Sequence, residues 1–322
     1  MNRAIFLLLL ITAVSCQDNS KDVDIQEEIE TTPRTTELRT YIFGHSLINH
    51  EYNVNPVPSN ETSVPHWMFL LAEAANYQYG VSGQYGFLPQ HDDLPPIPQW
   101  GFDIIPTIWS DETGDQFSDV DFNSILITAG NFIQYKGPEE TYDGDASDTS
   151  PVLSTLTITD WTTSQEEGLD IYIYENWPDM AGYINSFPPT ESEFANYQAY
   201  TTGDFHQWWL DYHDALVEAR PNQSIHMIPV GPILSHLLTE TNLSEIPVDI
   251  LYEDDAPHGR PTVYFLAAMI TYSAMYGEMP PADFTIPDII DSRVAENYAA
   301  VREIIWSELE AFEDQDGNSR VW

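Results

Sequence analysis

Apolar and β-branched residues gather in short runs over 38–43, 79–82, 124–128, 169–174 and 225–230, continuous over 124–128. Runs of this length bounded by Gly, Pro or Asn predict buried strands. The first ends at Gly44, the second is closed by Gly83, and the third is followed by Gly130-Asn131. Between and after them the period changes. Val64, Trp67, Met68, Leu71 and Ala75 fall on one helical face, which predicts a helix over 64–77. A second helix is expected over 204–220, stopped by Pro221, and two more over 263–276 and 294–312. Apolar strands alternating with helices predict a mostly parallel sheet covered on both faces, hence an α/β fold with three layers, α/β/α. With no internal repeat and no Gly/Ser/Pro-rich linker inside it, residues 37–322 are expected to form one domain. Polar or Pro-rich insertions over 88–119 and 136–167 are expected as loops on the sheet's rim, where insertions of such length usually serve function.

The amino terminus does not belong to this pattern. Arg3, an apolar run over 4–11 and the small residues Ala13-Val14-Ser15 precede Cys16. That order describes a signal peptide over 1–15, too short to span a bilayer. Cys16 is the sole cysteine of the chain, so no internal disulfide can form. Its place directly after Ala13-Val14-Ser15 resembles a bacterial lipobox, which implies lipidation of Cys16 and an outer-membrane or cell-surface location. Residues 16–36 are polar and acidic and read as a flexible tether. Acidic residues just after the cysteine also resemble those of surface-exported lipoproteins.

Composition narrows the partners. Ten basic side chains face 52 acidic ones, a net charge of −42 over 322 residues. No phosphate-binding patch can be assembled from so few cations, so nucleic acid is excluded as a partner. An anionic membrane surface would repel the chain, leaving the lipid anchor as its one membrane contact. Aromatic residues make up 13% of the sequence, with nine Trp, 18 Tyr and 14 Phe, ample for a buried core. The only lysines are Lys21 and Lys136, a skew that resembles proteins of marine or salt-adapted bacteria.

Reactive groups in an open α/β sheet collect at the carboxyl ends of the strands. The first strand runs into Gly44-His45-Ser46-Leu47, and Asp255-Ala256-Pro257-His258 stands before a later helix. A serine becomes a useful nucleophile when a histidine takes its proton and a carboxylate fixes the histidine's tautomer. Asp254 stands beside Asp255, but Asp255 alone has the i, i+3 spacing to His258. Taken singly, Ser46 could cap a helix, His258 could be a surface histidine, and Asn131 could form a turn beside Gly130.

Together these blocks resemble the GDSL-like, or SGNH, hydrolase family over residues 38–276. Gly44-His45-Ser46-Leu47 is similar to its nucleophile block, Gly83 to its glycine, Asn131 to its asparagine and Asp255-x-x-His258 to its closing block. The resemblance implies a flavodoxin-like three-layer fold. It also implies Ser46 as nucleophile, His258 as base, Asp255 as orienting carboxylate, and an oxyanion hole from the Ser46 and Gly83 amides and the Asn131 side chain. Gly80 and Gly86 lie close to Gly83. His45 stands where the family usually has Asp, and Phe132 where an Asp often follows the asparagine, which bears on subfamily and substrate.

His45, and Trp177 after the fourth strand, are candidate substrate contacts, Trp177 as a stacking platform for a sugar or equally as a core residue. His206 and His213 share a helix face, His91-Asp92-Asp93 is an acidic loop, and Asp314-x-Asp316-Gly317-Asn318 lacks EF-hand spacing. None identifies a metal, and no cofactor is implied. The resulting expectation is an exported, lipid-anchored serine esterase that hydrolyses O-acyl, chiefly O-acetyl, esters on a carbohydrate or another small ester. A lipase-like esterase for longer chains and a non-catalytic glycan-binding lipoprotein on the same scaffold are the alternatives.

Overall fold

Residues 32–50, 60–110, 112, 114–130, 134–143 and 149–322 are described by the computed structural model. Cys16, the signal segment over 1–15 and most of the tether lie outside them. Five parallel strands, β1 (Glu37–Gly44), β2 (Gln78–Tyr85), β3 (Ser124–Ile127), β4 (Asp170–Tyr174) and β5 (Ser224–Ile228), form one sheet in the order β2-β1-β3-β4-β5. The sheet is therefore wholly parallel. Its helices are α1 (Val64–Ala74), α2 (Leu88–His91), α3 (Pro151–Gln165), α4 (Glu191–Tyr200), α5 (His206–Ala219), α6 (Val230–Glu240), α7 (Val248–Leu251), α8 (Pro261–Tyr272), α9 (Ser292–Glu296) and α10 (Tyr298–Glu310).

Strand alternation divides the core in two. Ile42, Leu126, Tyr172 and Ile228 point to one face and pack with α1, α6, α8 and α10. Tyr41, Phe43, Ile125, Ile127, Ile171, Ile173 and Met227 point to the other and pack with α3 and α5. Both faces being buried is why these strands read as mainly apolar runs. The three-layer α/β/α expectation holds.

The structure differs from the sequence reading in several elements: the helix over 294–312 is divided into α9 and α10, and α4 and α6 were not expected. β2 continues through Gly83 to Tyr85. The stretch 136–167 holds a full helix, α3, where a loop was expected. Its inward face mixes Ser154, Thr155, Thr159 and Thr162 with Val152, Leu156 and Ile158, so the hydrophobic period is faint. The buried threonine hydroxyls turn back on their own helix, Thr155 donating to the Pro151 carbonyl at 3.0 Å and Thr162 to that of Ile158 at 3.0 Å. Ser150 caps the helix start by accepting from the Leu153 amide at 3.2 Å. The expected helix over 204–220 begins at His206 as α5 and joins α4 through a one-turn π segment, Thr201–Phe205.

Both sheet edges are covered, which removes the pairing liability of exposed strands. Part of the 88–119 insertion lies along β2: the amides of Gln99 and Trp100 donate to the Gly83 carbonyl at 3.0 and 2.9 Å, and Thr107 bridges Val81. At the opposite edge the Met227 amide donates to the Arg320 carbonyl at 2.7 Å. From β1 the chain turns first to β2 on one side and later to β3 on the other. The gap between β1 and β3 at the strands' carboxyl ends is therefore the sheet's switch point, where such folds bind ligands.

Candidate active site

Ser46 sits in the tight turn that follows β1 at this switch point. The His45 carbonyl accepts from the amides of Ile48 and Asn49 at 2.9 and 3.1 Å, and the Val64 amide that opens α1 donates to the Ile48 carbonyl at 2.8 Å. From α8, the Tyr264 hydroxyl donates to the Ser46 carbonyl at 2.6 Å. Ser46 is thus held by two helices and caps neither; the cap of α1 is Ser63.

Facing it is a loop closed by an antiparallel bridge between Tyr252 and Gly259. Nε2 of His258 lies 3.0 Å from Oγ of Ser46, and its Nδ1 lies 2.8 Å from Oδ2 of Asp254. A carboxylate only accepts, so the ring proton belongs on Nδ1 and the Nε2 lone pair faces the serine hydroxyl. Oδ1 of Asp254 accepts from the amides of Ala256 and His258 at 3.1 and 3.0 Å. Burial works against the Asp254 charge, but the bonds from the His258 ring and these two amides outweigh it and hold the carboxyl below its ordinary value.

The carboxylate that bonds the His258 ring is therefore Asp254, not the expected Asp255. The spacing is i, i+4 rather than i, i+3, because Asp254 folds back over its own turn to take the His258 amide as well as the ring. The Asp255 side chain is exposed, and its carbonyl accepts from the Met180 amide at 2.9 Å.

Gly83 is also displaced from its expected role. It pairs with Ile42 in the ladder, two residues before β2 ends. Its carbonyl points outward to Gln99 and Trp100, and within a strand the amide of the same residue points to that side too, away from Ser46. Gly83 instead makes room for Trp100. A Cβ there would lie 2.7 Å from both the Ile42 carbonyl oxygen and Cε3 of Trp100, and one on Gly44 would lie 2.9 Å from Cη2 of the same ring. Gly86 gives its amide to the Gly44 carbonyl at 2.9 Å. Asn131 lies outside the described residues.

Neither candidate substrate contact faces the pocket. His45 is fully enclosed: Nδ1 accepts from the Leu47 amide at 3.3 Å, which places the proton on Nε2, 3.2 Å from the Ala129 carbonyl. Burial pushes its pKa down to about 4, so it is a neutral brace between the nucleophile turn and β3. Trp177 is buried, and its indole N–H donates to the Pro257 carbonyl at 2.9 Å. It anchors the loop that carries His258. His206 pairs with the buried Glu175, while His213 takes Arg320 and the Ile225 carbonyl. Asp92 accepts from the Ser154 hydroxyl and Asp314 from the Asn318 amide.

A cavity of about 440 Å³ opens beside Ser46 and His258, lined further by Asn49, His50, Tyr85, Gln99 and Trp100. Sequence reasoning missed all five of these. Gln99 and Trp100 carried one signal, their place inside a long insertion. His50 lies stacked on His258, and nothing in the spacing of the two residues points to it.

The chain matches no protein-family model, no curated protein and no solved structure.

Proposed function

We propose that the protein is a serine esterase, resembling the GDSL-like hydrolases in the order of its active residues. The observation that carries this reading is the unbroken line Asp254–His258–Ser46, with bonds of 2.8 and 3.0 Å at the mouth of a cavity. Such a line makes a hydroxyl nucleophilic at neutral pH. In the proposed reaction Oγ of Ser46 attacks the ester carbonyl while Nε2 of His258 takes its proton. Asp254 stabilises the imidazolium. The proton passes to the leaving alkoxide, giving alcohol and acyl-Ser46. Water, activated by the same histidine, then releases the carboxylic acid. The Ser46 amide and Asn131 are the proposed donors to the oxyanion.

The proposed substrate is an O-acetyl or other short O-acyl ester on a carbohydrate. Supporting it are the modest cavity, the rings of Trp100 and Tyr85 and the polar side chains of Asn49 and Gln99, since sugars offer apolar faces for stacking and hydroxyls for hydrogen bonds. Export with a lipid anchor on Cys16 is proposed from the sequence alone. Among the described residues no helix is long and apolar enough to cross a membrane.

Release of p-nitrophenol from its acetyl and octanoyl esters tests this function. The protein should turn over the acetyl ester faster, and Ser46→Ala should abolish turnover. Equal loss of glycan binding and of turnover is not required. A parent that cleaves neither model ester nor any acetylated polysaccharide would overturn the esterase reading in favour of a glycan-binding protein.

A further inference from the structure

Two adjacent acidic residues each face a histidine. Asp254 takes Nδ1 of His258 at 2.8 Å, and Oε2 of Glu253 lies 3.4 Å from Nε2 of His50. The two imidazole rings lie face to face, with centroids 4.0 Å apart and planes 11° from parallel. The His50 backbone is pinned twice, its amide donating to the Thr62 carbonyl at 3.0 Å and its carbonyl accepting from the Thr62 hydroxyl at 2.6 Å. His50 also lines the cavity. The site thus holds two parallel acid–histidine pairs, of which one reaches the nucleophile.

The stack constrains His258 in two ways. The line from Ser46 through Nε2 and Nδ1 to Asp254 needs one rotation of the His258 ring, and a flat neighbour resists the others. Charge is the second constraint. Imidazolium rings 4.0 Å apart repel, whereas a neutral aromatic face opposite a cation attracts it. Burial, reinforced by His258, pushes the His50 pKa down to about 4, so His50 is neutral at neutral pH. The charged and titratable neighbours among the described residues are consistent with one shared positive charge. Asp254 and Glu253 come from the loop, with Arg260 acting on Glu253, and the enclosed neutral His45 comes from the nucleophile turn.

We propose that His50 is a positioning residue for the catalytic base, its ring holding the plane of His258 and facing the positive charge that forms when Ser46 gives up its proton. This rests on the serine-esterase reading above. Nothing in that mechanism requires a second histidine, and a pocket-lining group would not need to lie flat on the first.

The test compares His50→Ala with His50→Phe, which keeps a flat ring but no N–H. In p-nitrophenyl acetate hydrolysis His50→Ala should lower kcat ~10- to 100-fold with KM within ~3-fold, and His50→Phe should recover to within ~5-fold of the parent. An unchanged kcat in His50→Ala, a change in KM alone, or a Phe variant no better than Ala overturns the proposal; a change in KM alone would make His50 a substrate-binding wall. An NMR titration of the histidine rings, which needs no turnover, supplies the independent arm. In His258→Gln the His50 ring should titrate at higher pH than in the parent, because its charged neighbour is gone. Unshifted titration overturns the stack in solution. If that shift is seen but the parent hydrolyses no ester, the stack stands and the esterase reading, with His50's role in it, fails.

Discussion

Replacing Asp254 by Asn tests which carboxylate serves the base, and the hydrogen bonds around it set the expected size. Oδ1 of Asp254 holds two backbone amides, those of Ala256 and His258, which need an acceptor. In Asp254→Asn the amide oxygen must stay with them, so the NH2 group turns toward Nδ1 of His258. Nδ1 can then only accept, the ring proton moves to Nε2, and the nitrogen facing Ser46 becomes a donor instead of a base. A wrong tautomer of this kind costs roughly 10⁴-fold in kcat where a buried triad acid has been changed to its amide. The Asp254 side chain is 44% exposed, which weakens the electrostatic share and puts the expectation below that figure, about 10³-fold. The shape is unchanged, so thermal unfolding should move by only a few degrees. Asp255→Asn should keep kcat within about 3-fold, since that side chain is exposed and makes no bond to His258. The assay is p-nitrophenyl acetate turnover by the parent and both variants, with melting curves alongside. A variant Asp254→Asn that keeps more than a tenth of the parent's kcat, or an Asp255→Asn that loses as much as Asp254→Asn, would refute the reasoning.

Other substitutions probe the supports of the site. Gly83→Ala should destabilise by about 1–3 kcal/mol through overpacking, because its Cβ meets the Ile42 carbonyl and the Trp100 ring at 2.7 Å; a calorimetric melt equal to the parent's would contradict this. His45→Gln addresses pH. With its folded pKa pushed down to about 4 from an ordinary 6.5, His45 binds a proton in the unfolded chain before it does in the folded one. Its neutral form therefore contributes fully above pH 6.5, and about 3 kcal/mol is lost as pH falls from 6.5 through 4. Urea unfolding at pH 7 and pH 4.5 should show a smaller acid loss in His45→Gln than in the parent, and equal losses would rule the account out. Trp177→Phe keeps an aromatic ring but removes the N–H bonded to the Pro257 carbonyl. It should cost about 1–3 kcal/mol of stability from an unsatisfied buried carbonyl and from lost volume, and lower kcat by loosening the His258 loop. A variant with full stability but weakened binding to a glycan would return Trp177 to the role of a substrate platform.

The parallel sheet was legible because strands buried on both faces carry few polar positions at their centres, as Tyr41, Ile42 and Phe43 illustrate by dividing between two cores. Helix α3 was hidden by the same logic in reverse. Its buried threonines satisfy their hydroxyls on their own helix, so polar residues occupy an inward face. Ser46 and His258 were readable from local motifs at expected chain positions. Asp254 was not, since choosing between neighbouring acids depends on how one turn closes. Glycines near a strand end suggest an amide donor, but a rung more or less reverses the direction of that amide, and β2 runs past Gly83. His50 and Trp100 enter the site through long-range packing that no short spacing records. Trp177, placed correctly after β4, turned inward to support the loop from behind.

The central claim is that Ser46 is acylated with His258 as its base. Incubation with a fluorophosphonate probe, followed by peptide mass spectrometry, reads this directly, because the probe bonds to an activated serine irreversibly and needs no knowledge of the substrate. The account predicts one adduct, on the peptide containing Ser46, lost in Ser46→Ala and strongly slowed in both His258→Gln and Asp254→Asn. No adduct on Ser46, or an adduct that forms equally fast without His258, would contradict it.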